Sequence, residues 1–491
     1  MADDPNVVTL SLISHTNVGK TTLARTLLRR DVGEVLDQAH VTDLSAAYTM
    51  LEADGKVLRL WDTPGFGDTA RLLKRLRRSD NPLLWFLGQT WDRFADRPLW
   101  CSQQAIQNVR AEAELILYLV NATEDPAGAG YVGLEMEILG WAAKPVIALL
   151  NQTGPPGEPE SERRAEKAWR DHLERFVVVR EVLSLDAFAR CWVQEGVLLD
   201  RIHTHLADSR KAVFGALRQA WWAQNLEIFE RSVVSMAEAL VASATDGVEV
   251  SKVDVVRAVL ARGEVQDEMA SARRELSERF ARRTADSINL MIGLHGLAGR
   301  SAMQLSEAAR ENFGAPSNVP EGVKVALGAA LTGALGGIAA DAVSGGLTLG
   351  GGALLGGLGG FLGTYLLARG YNLVRGEDNR VRWSRDHFRE QFRLSLLGYL
   401  AVAHFGRGRG EWVESTQPDH WRRAVEEAID ARRDEIEGIW RRAGVPRAEP
   451  VPLRRSIEDV LRASATDVFR RLYPDSGAFV PGALPASTSA R

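Results

Sequence analysis

The chain is poor in cysteine and has little net charge. Its 491 residues include only two cysteines, Cys101 and Cys191, too few and too far apart for a disulfide framework or a cysteine metal cluster. The net charge of −4, from 60 basic and 64 acidic side chains, gives no indication of a nucleic-acid partner. The first residues, MADDP, lack the basic region of a secretory signal, so we expect a large intracellular protein with several domains.

A phosphate-binding loop is predicted near the amino terminus. The apolar residues 7–13 predict a buried strand, and residues 23–28 predict the first turns of a helix. Between them lie Ser14, His15, Thr16, Asn17, Val18, Gly19, Lys20, Thr21 and Thr22. Such a loop directs its backbone amides and a helix N-terminus at an anion, while Lys20 reaches the terminal phosphates and Thr21 can ligate Mg²⁺. Ser14 replaces the first glycine of the usual pattern.

A second motif follows at a suitable distance. The strand predicted at residues 57–61 runs directly into Asp62, Thr63, Pro64 and Gly65. An aspartate at the carboxyl end of a parallel strand beside the loop can hold the Mg²⁺ hydration shell, and the Gly65 amide can approach a γ-phosphate. Thr42 lies between the two motifs, where a closing loop would bring it to Mg²⁺; an ordinary loop threonine fits the sequence equally well.

Together these segments resemble the Era/TrmE-type P-loop GTPases of the translation-factor class, whose hallmark is Asp-Thr-Pro-Gly followed by a hydrophobic residue. That residue is Phe66 here, where Ras-like GTPases carry the glutamine that orients the attacking water. The resemblance implies GTP/GDP and Mg²⁺ as ligands, with slow hydrolysis because Phe66 cannot polarise a water. It also implies that Asn17 binds K⁺, although an asparagine that only tolerates a left-handed loop conformation fits as well. The residues assigned to hydrolysis are Lys20, Asn17, Gly65 and Thr42.

The base-recognition motif departs from the family pattern. After the strand predicted at residues 146–150 the family has Asn-Lys-x-Asp, whereas this chain has Asn151, Gln152, Thr153 and Gly154. The missing aspartate is the group that accepts two hydrogen bonds from guanine, and its loss lowers base discrimination. Ser184 lies in a second predicted base loop at residues 183–186, where Asp186 is a candidate replacement for the lost carboxylate. GTP is expected from the resemblance; ATP or relaxed specificity is the alternative.

The predicted fold class is α/β: a P-loop GTPase doubly wound sheet over residues 1–200, followed by an all-α region with a Gly-rich hydrophobic helical hairpin. The strands are predicted at residues 7–13, 48–51, 57–61, 115–120, 146–150 and 176–180. Beyond the first domain we predict a helical domain (201–320), the hairpin (321–370), a second helical domain (371–473) and a disordered tail (474–491). The helices are predicted at residues 211–242, 266–297, 380–393, 421–442 and 454–472.

The hairpin segment is the second feature with functional content. Residues 323–368 carry only two charged side chains, Lys324 and Asp341. Small residues recur every four positions, as at Ala329, Gly333 and Gly337, a spacing that lets membrane helices approach closely. One interpretation is a membrane hairpin with both ends on the cytoplasmic side, because positive charges flank it. The other is a glycine-rich hairpin buried in a soluble helical bundle or an oligomer interface.

The predicted function combines these features. We expect a membrane-associated protein that hydrolyses GTP to GDP and phosphate as a slow, K⁺-stimulated switch at the cytoplasmic face of the bacterial inner membrane, or in the cytoplasm. The predicted partners are inner-membrane lipids or a membrane protein, and a second copy of the chain through the hairpin; no nucleic acid is expected, since no basic RNA-binding domain is visible. The alternative is a dynamin-like membrane-remodelling or scaffold protein with a helical stalk and a hydrophobic paddle. The arrangement resembles a bacterial family in which an Era/TrmE-type GTPase domain precedes a helical domain of unknown function.

Overall fold

The computed structural model describes residues 4–16, 18–29, 46–67, 69–77, 97–151, 159–185, 191–250, 262–296, 373–375, 380–404, 419–444 and 450–473. The chain divides into two compact units. The first comprises residues 1–225 and 404–413, and the second comprises residues 226–403 and 414–491.

A six-stranded sheet forms the framework of the first unit. Its strands are β1 (Val7–Ser14), β2 (Ala46–Ala53), β3 (Lys56–Asp62), β4 (Leu115–Asn121), β5 (Val146–Asn151) and β6 (Val179–Ser184). They lie in the order β2-β3-β1-β4-β5-β6, with the edge strand β2 antiparallel to β3 and the other neighbours parallel. In such a sheet the carboxyl ends of the parallel strands share one edge, which is where ligands bind. The predicted doubly wound α/β sheet is confirmed.

Helices cover this sheet. The described helices of the first unit are α1 (Lys20–Leu28), α2 (Thr69–Leu76), α3 (Arg97–Ala111), α4 (Gly130–Ala142), α5 (Pro159–Leu173) and α6 (Trp192–His205), and α7 (Asp208–Thr245) begins there. All six residues of β5 are buried, as expected for a parallel strand with both faces covered. On one face, apolar side chains of α2, α3, α4 and α5 share a core with Ile116, Tyr118 and Val120 of β4.

The last strand of the sheet lies further along the chain than predicted. The sequence favoured residues 176–180, but β6 is Val179–Ser184. The preceding residues form the turn after α5, in which the Phe176 amide donates to the Leu173 carbonyl (3.1 Å). Phe176 and Val178 pack against the core from this turn. Their apolar character therefore reflects packing of a connection and not a strand.

The second unit is helical, as predicted. It contains the end of α7, then α8 (Arg262–Leu294), α9 (Arg385–Ala403), α10 (Asp419–Asp430), α11 (Arg433–Ala443) and α12 (Pro450–Leu472). An aromatic cluster joins three of these helices. The rings of Phe229 on α7 and Tyr399 on α9 have centroids 5.7 Å apart, and Phe469 on α12 lies 6.2 Å from Tyr399. Aromatic pairs at such distances add to the stability of a core beyond the area they bury.

A small sheet within the second unit was not predicted. Its strands β7 (Val248–Glu249), β8 (Leu373–Arg375) and β9 (Arg380–Trp383) lie in the order β7-β9-β8. The helix predicted at residues 380–393 was therefore wrong over its first turn. In β9, Val381 and Trp383 are buried, whereas Arg380 and Arg382 are half-buried. That alternation has the period of a strand.

The helix predicted at residues 421–442 is two helices. It is interrupted between α10 and α11, where the Arg432 backbone leaves the helical conformation (φ −113°, ψ 21°). The Arg432 guanidinium donates to the Ala428 carbonyl at the end of α10 (2.9 Å). The Arg432 carbonyl accepts a hydrogen bond from the Ile436 amide of α11 (3.0 Å). One arginine thus satisfies backbone groups on both sides of the break.

The membrane hairpin is not among the described helices. Within the described ranges, none of the helices has both the length and the apolar surface that crossing a bilayer requires. The predicted hairpin at residues 321–370 and the predicted tail at residues 474–491 lie outside those ranges.

We expect Phe469→Ala to destabilise the second unit by about 3–5 kcal/mol, because it removes a large buried ring and leaves a cavity. Phe469 is 2% exposed in the cluster on α12. The matched control is Val451→Ala on the same helix, where the side chain is 55% exposed and the cost should stay within about 0.5 kcal/mol. Denaturant unfolding of the two full-length variants measures both values. Equal midpoints would contradict the assignment of this cluster to the core.

Candidate nucleotide site

The register of the central strands brings the two predicted phosphate motifs together. Leu12 of β1 pairs with Asp62 of β3 in the parallel ladder, so both strands end at the same edge of the sheet. Beyond these ends the chains continue side by side, since the Phe66 amide donates to the Ser14 carbonyl (2.9 Å). The phosphate loop and the segment that follows Asp62 are therefore neighbours along their backbones.

The phosphate loop begins at the end of β1 and ends at α1. Gly19 precedes the helix with φ 89°, a left-handed conformation that glycine adopts without steric cost. Lys20 is buried and its Nζ donates to the Ser14 hydroxyl (3.1 Å), so the serine that replaces the usual glycine supplies an acceptor for the lysine. Burial lowers the pKa of Lys20, and the charges of Asp62 and Glu135 oppose that effect.

Thr21 and Asp62 form the predicted cation-binding pair. The Thr21 hydroxyl donates to Asp62 Oδ2 (2.8 Å), while Oδ1 is buried and has no hydrogen-bond partner among the described residues. Burial raises the pKa of Asp62, against the lowering effects of the Lys20 charge and the Thr21 hydrogen bond. A hydroxyl and a carboxylate are hard oxygen ligands of the kind that Mg²⁺ prefers. The pair fits Mg²⁺, with Oδ1 available for the ion or its water shell.

Gly65 lies directly against the phosphate loop. A Cβ atom at this position would be 3.0 Å from Lys20 Nζ and 3.1 Å from Thr16 Cα, closer than side-chain atoms normally approach. A side chain here would have to displace its neighbours by a few tenths of an ångström, so glycine suits a backbone that lies this close to the loop, as the predicted γ-phosphate sensor would. The next residue, Phe66, is fully buried in the core, so its side chain is committed to packing.

The residues predicted for base recognition also end at this edge. Asn151 is the last residue of β5, fully buried, and its Nδ2 donates to the Val18 carbonyl of the phosphate loop (2.8 Å). Ser184 is the last residue of β6 and pairs in register with Leu150. Asn151 thus braces the loop from the neighbouring strand.

The remaining predicted residues fall into two groups. Val18 and Thr22 are buried and support the loop and α1 from within. Four others, Asn17, Thr42, Gln152 and Asp186, lie outside the described residues, so their predicted roles stay predictions.

Sequence reasoning missed Glu135, on α4. This fully buried carboxylate contacts His15 of the phosphate loop, Thr69 of α2 and Tyr118 of β4. A signal was present, because Glu135 and Glu137 are the only charged residues in the otherwise apolar sequence of α4. No motif marked it, and its partners are distant in the chain.

Comparison with known proteins agrees with this geometry. Residues 9–152 match the family described as 50S ribosome-binding GTPase. No curated protein sequence matches the chain.

Similar solved structures include two of Era and one of Toc33. Era from Aquifex aeolicus bound to GDP·AlF4⁻ is 18% identical, with a TM-score of 0.30 over 41% of this chain and 58% of that one. Era in complex with MgGDPNP and nucleotides 1506–1542 of 16S ribosomal RNA is 17% identical, with a TM-score of 0.31 and the same coverages, 41% and 58%. Toc33 from Arabidopsis thaliana is 14% identical, with a TM-score of 0.26 over 38% of this chain and 73% of that one.

The present chain therefore spans little more than half the length of the Era chains it matches. The family match runs from β1 to just beyond the end of β5 and includes the phosphate loop, Asp62, Gly65 and Asn151. The predicted P-loop GTPase domain is confirmed for this part of the chain, since residues 9–152 match the 50S ribosome-binding GTPase family.

Proposed function

We propose that this protein binds GTP with Mg²⁺ and hydrolyses it to GDP and phosphate as a slow molecular switch. The observation that carries the proposal is the Asp62 carboxylate, which shares a hydrogen bond with Thr21 while its Oδ1 has no partner among the described residues. A buried polar atom without a partner is costly, and a hydrated cation held by Asp62 and Thr21 would satisfy it. Bound there, Mg²⁺ supplies positive charge to the β- and γ-phosphate oxygens, to which Lys20 adds its own.

Slow turnover follows from the residue after Gly65. Phe66 offers no polar group to a water and is fully buried, so no side chain at this position orients the attacking water. We propose that K⁺ held near Asn17 supplies the missing positive charge. The support for K⁺ is the sequence of the phosphate loop and its resemblance to TrmE-type proteins.

We propose that this site prefers GTP over ATP less strongly than a site with the usual Asn-Lys-x-Asp motif does. The carboxylate that normally pairs with guanine is absent from residues 151–154, and the Asn151 amide donates to the Val18 carbonyl. A site that lacks one of its buried hydrogen-bonding groups loses discrimination between bases.

We also propose that residues 321–370 attach the protein to the cytoplasmic face of the bacterial inner membrane. The support is compositional: this stretch is crowded with glycine and alanine, and residues 323–368 hold only two charges. The proposed partners are membrane lipids or a membrane protein, and a second copy of the chain through the same segment. No nucleic-acid partner is proposed.

The first test compares GTP and ATP in K⁺ and in Na⁺ buffers, by binding and by single-turnover hydrolysis. We expect GTP to be preferred and K⁺ to accelerate its hydrolysis, because the ion adds charge where phosphate charge develops. Equal rates in both salts would refute the K⁺ proposal.

Lys20→Ala should abolish nucleotide binding, since the loop loses its charge on the terminal phosphates. Binding that survives Lys20→Ala would refute the assignment of the phosphate loop.

Gly65→Ala tests the sensor. We expect hydrolysis to slow by roughly 10- to 100-fold, because the new Cβ displaces a backbone that must contact the γ-phosphate and small displacements at a reacting centre are expensive. Gly140→Ala is the matched control, since a Cβ there meets nothing within 4 Å and its rate should equal that of the unmodified protein. If both variants hydrolyse GTP at the same rate, Gly65 has no sensing role.

Flotation with anionic phospholipid vesicles tests the membrane proposal. We expect the full-length protein to float with the vesicles, and a variant lacking residues 321–370 to remain in the soluble fraction while still binding nucleotide. A full-length protein that purifies as a monodisperse species without detergent and stays off the vesicles would overturn membrane attachment.

A further inference from the structure

We infer that Glu135 is a positioning residue for GTP hydrolysis, which holds the phosphate loop and the first turn of α2 to one buried carboxylate. The inference rests on the proposed hydrolysis of GTP. It adds a residue outside every motif of the site, and it assigns that residue the task of coupling the loop that binds phosphate to the segment that senses it.

The geometry of the carboxylate carries the inference. Glu135 Oε1 lies 2.7 Å from His15 Nδ1 and accepts a hydrogen bond from the Thr69 hydroxyl at 3.0 Å. Its other oxygen, Oε2, accepts the Tyr118 hydroxyl at 2.7 Å. One oxygen atom therefore joins the phosphate loop to α2, and the second oxygen anchors the group to the central strand β4.

Burial makes the loss of a hydrogen bond to Glu135 costly. Glu135 and Tyr118 are fully buried, and Thr69 is 3% exposed, so water is not available to replace either hydroxyl, whereas the His15 side chain is 30% exposed. Burial, and then the charge of Glu135, raise the pKa of Tyr118 well above its ordinary value, so that hydroxyl keeps its proton and donates. A buried carboxylate that loses one of its donors is left poorly compensated. Displacement of either the phosphate loop or α2 therefore changes a contact of the same atom, Glu135 Oε1.

His15 is held in a defined orientation. For Nδ1 to donate to the carboxylate it must carry the hydrogen, so Glu135 selects the ring's tautomer as well as its direction. The ring also stacks on Tyr131, with centroids 4.3 Å apart, and the Tyr131 hydroxyl donates to Glu124 (2.9 Å). The side chain of a phosphate-loop residue is thus fixed by two residues of α4.

The segment after Gly65 reaches the same helix. α2 begins at Thr69, and Leu72, Leu73 and Leu76 of α2 share the core with apolar residues of α4. Outside the core, the Arg77 Nε donates to Glu137 (2.9 Å). This second link is exposed, so it adds little. The Thr69–Glu135 hydrogen bond is a buried polar contact between the two helices, and it lies at the end of α2 that follows Gly65.

The experiment is a double-mutant cycle in the full-length protein. Thr69→Val removes the hydroxyl that reaches Glu135, and Glu135→Met removes both carboxylate oxygens while keeping an unbranched side chain of similar length. We expect Thr69→Val to slow single-turnover GTP hydrolysis about tenfold, as for loss of a hydrogen bond to a charged group. It should leave the Kd for GDP within about twofold, because the contact of Glu135 with the phosphate loop persists. Thr69→Ser should restore the rate.

If Thr69 and Glu135 are coupled, the effects of their substitutions on the hydrolysis rate will be non-additive. In the Glu135→Met background, Thr69→Val should cause little further loss, because no side-chain oxygen remains to accept its hydrogen bond, whereas independent residues would multiply their effects. The matched control is Thr466→Val on α12, a threonine 7% exposed whose hydroxyl bonds only within its own helix. It should lose stability but keep the ratio of hydrolysis rate to GDP affinity.

Each outcome has a defined meaning. Multiplicative effects, or a Thr69→Val rate equal to that of Thr466→Val, would overturn the inference. If the unmodified protein does not hydrolyse GTP, the proposed hydrolysis fails. The coupling is then tested in the same variants by measuring the ratio of their affinities for GDP and for a non-hydrolysable GTP analogue. Additive changes in that ratio would overturn the coupling independently.

Discussion

The parallel pairing of β1 with β3 is the constraint on which the nucleotide site depends. It places Asp62 opposite Leu12 and so beside the phosphate loop, where the buried Lys20 and Asp62 meet the half-buried Thr21. Burial disfavours the charged forms of both Lys20 and Asp62, and their mutual attraction offsets only part of that cost. A site that holds desolvated charges in place is matched to a triphosphate and a divalent cation, which bring the compensating charges with them.

The phosphate loop is braced by three different elements. Asn151 of β5 donates to the Val18 carbonyl, the Phe66 amide donates to the Ser14 carbonyl, and Glu135 of α4 contacts His15. Each contact fixes one described part of the loop from outside, at Val18, Ser14 or His15, without any bound phosphate. Preorganisation of this kind lets donors act on developing charge without reorganising.

Short-range patterns allowed much of the first unit to be predicted, and long-range contacts account for what was missed. The strand, glycine and helix around Lys20 are adjacent in the chain, so the loop could be recognised locally. The partners of Glu135 are 120, 66 and 17 positions away, and no window of sequence contains them. Phe176 and Val178 resembled a strand because a turn that packs on a core is apolar too. In the second unit, the alternation of Val381 and Trp383 was shorter than the helical pattern that followed it, and Arg432 lies at a break in a helical pattern, where its side chain donates to the Ala428 carbonyl.

Phe66 changes what the segment after Asp62 is able to do. In the core it packs with residues such as Leu72 and Leu99, and the pairing of its amide with Ser14 places the preceding Gly65 against Lys20 and Thr16. The hydrophobic residue therefore anchors Gly65 against the phosphate loop, and it does so at the position where Ras-like GTPases carry a glutamine. Under the proposed function, catalysis depends on backbone groups, on Lys20 and on bound cations, because Phe66 offers no polar group at this position. The rate of such an enzyme depends on how precisely its backbone is held, so the proposal gives the buried supports of the loop and of α2 a part in its chemistry.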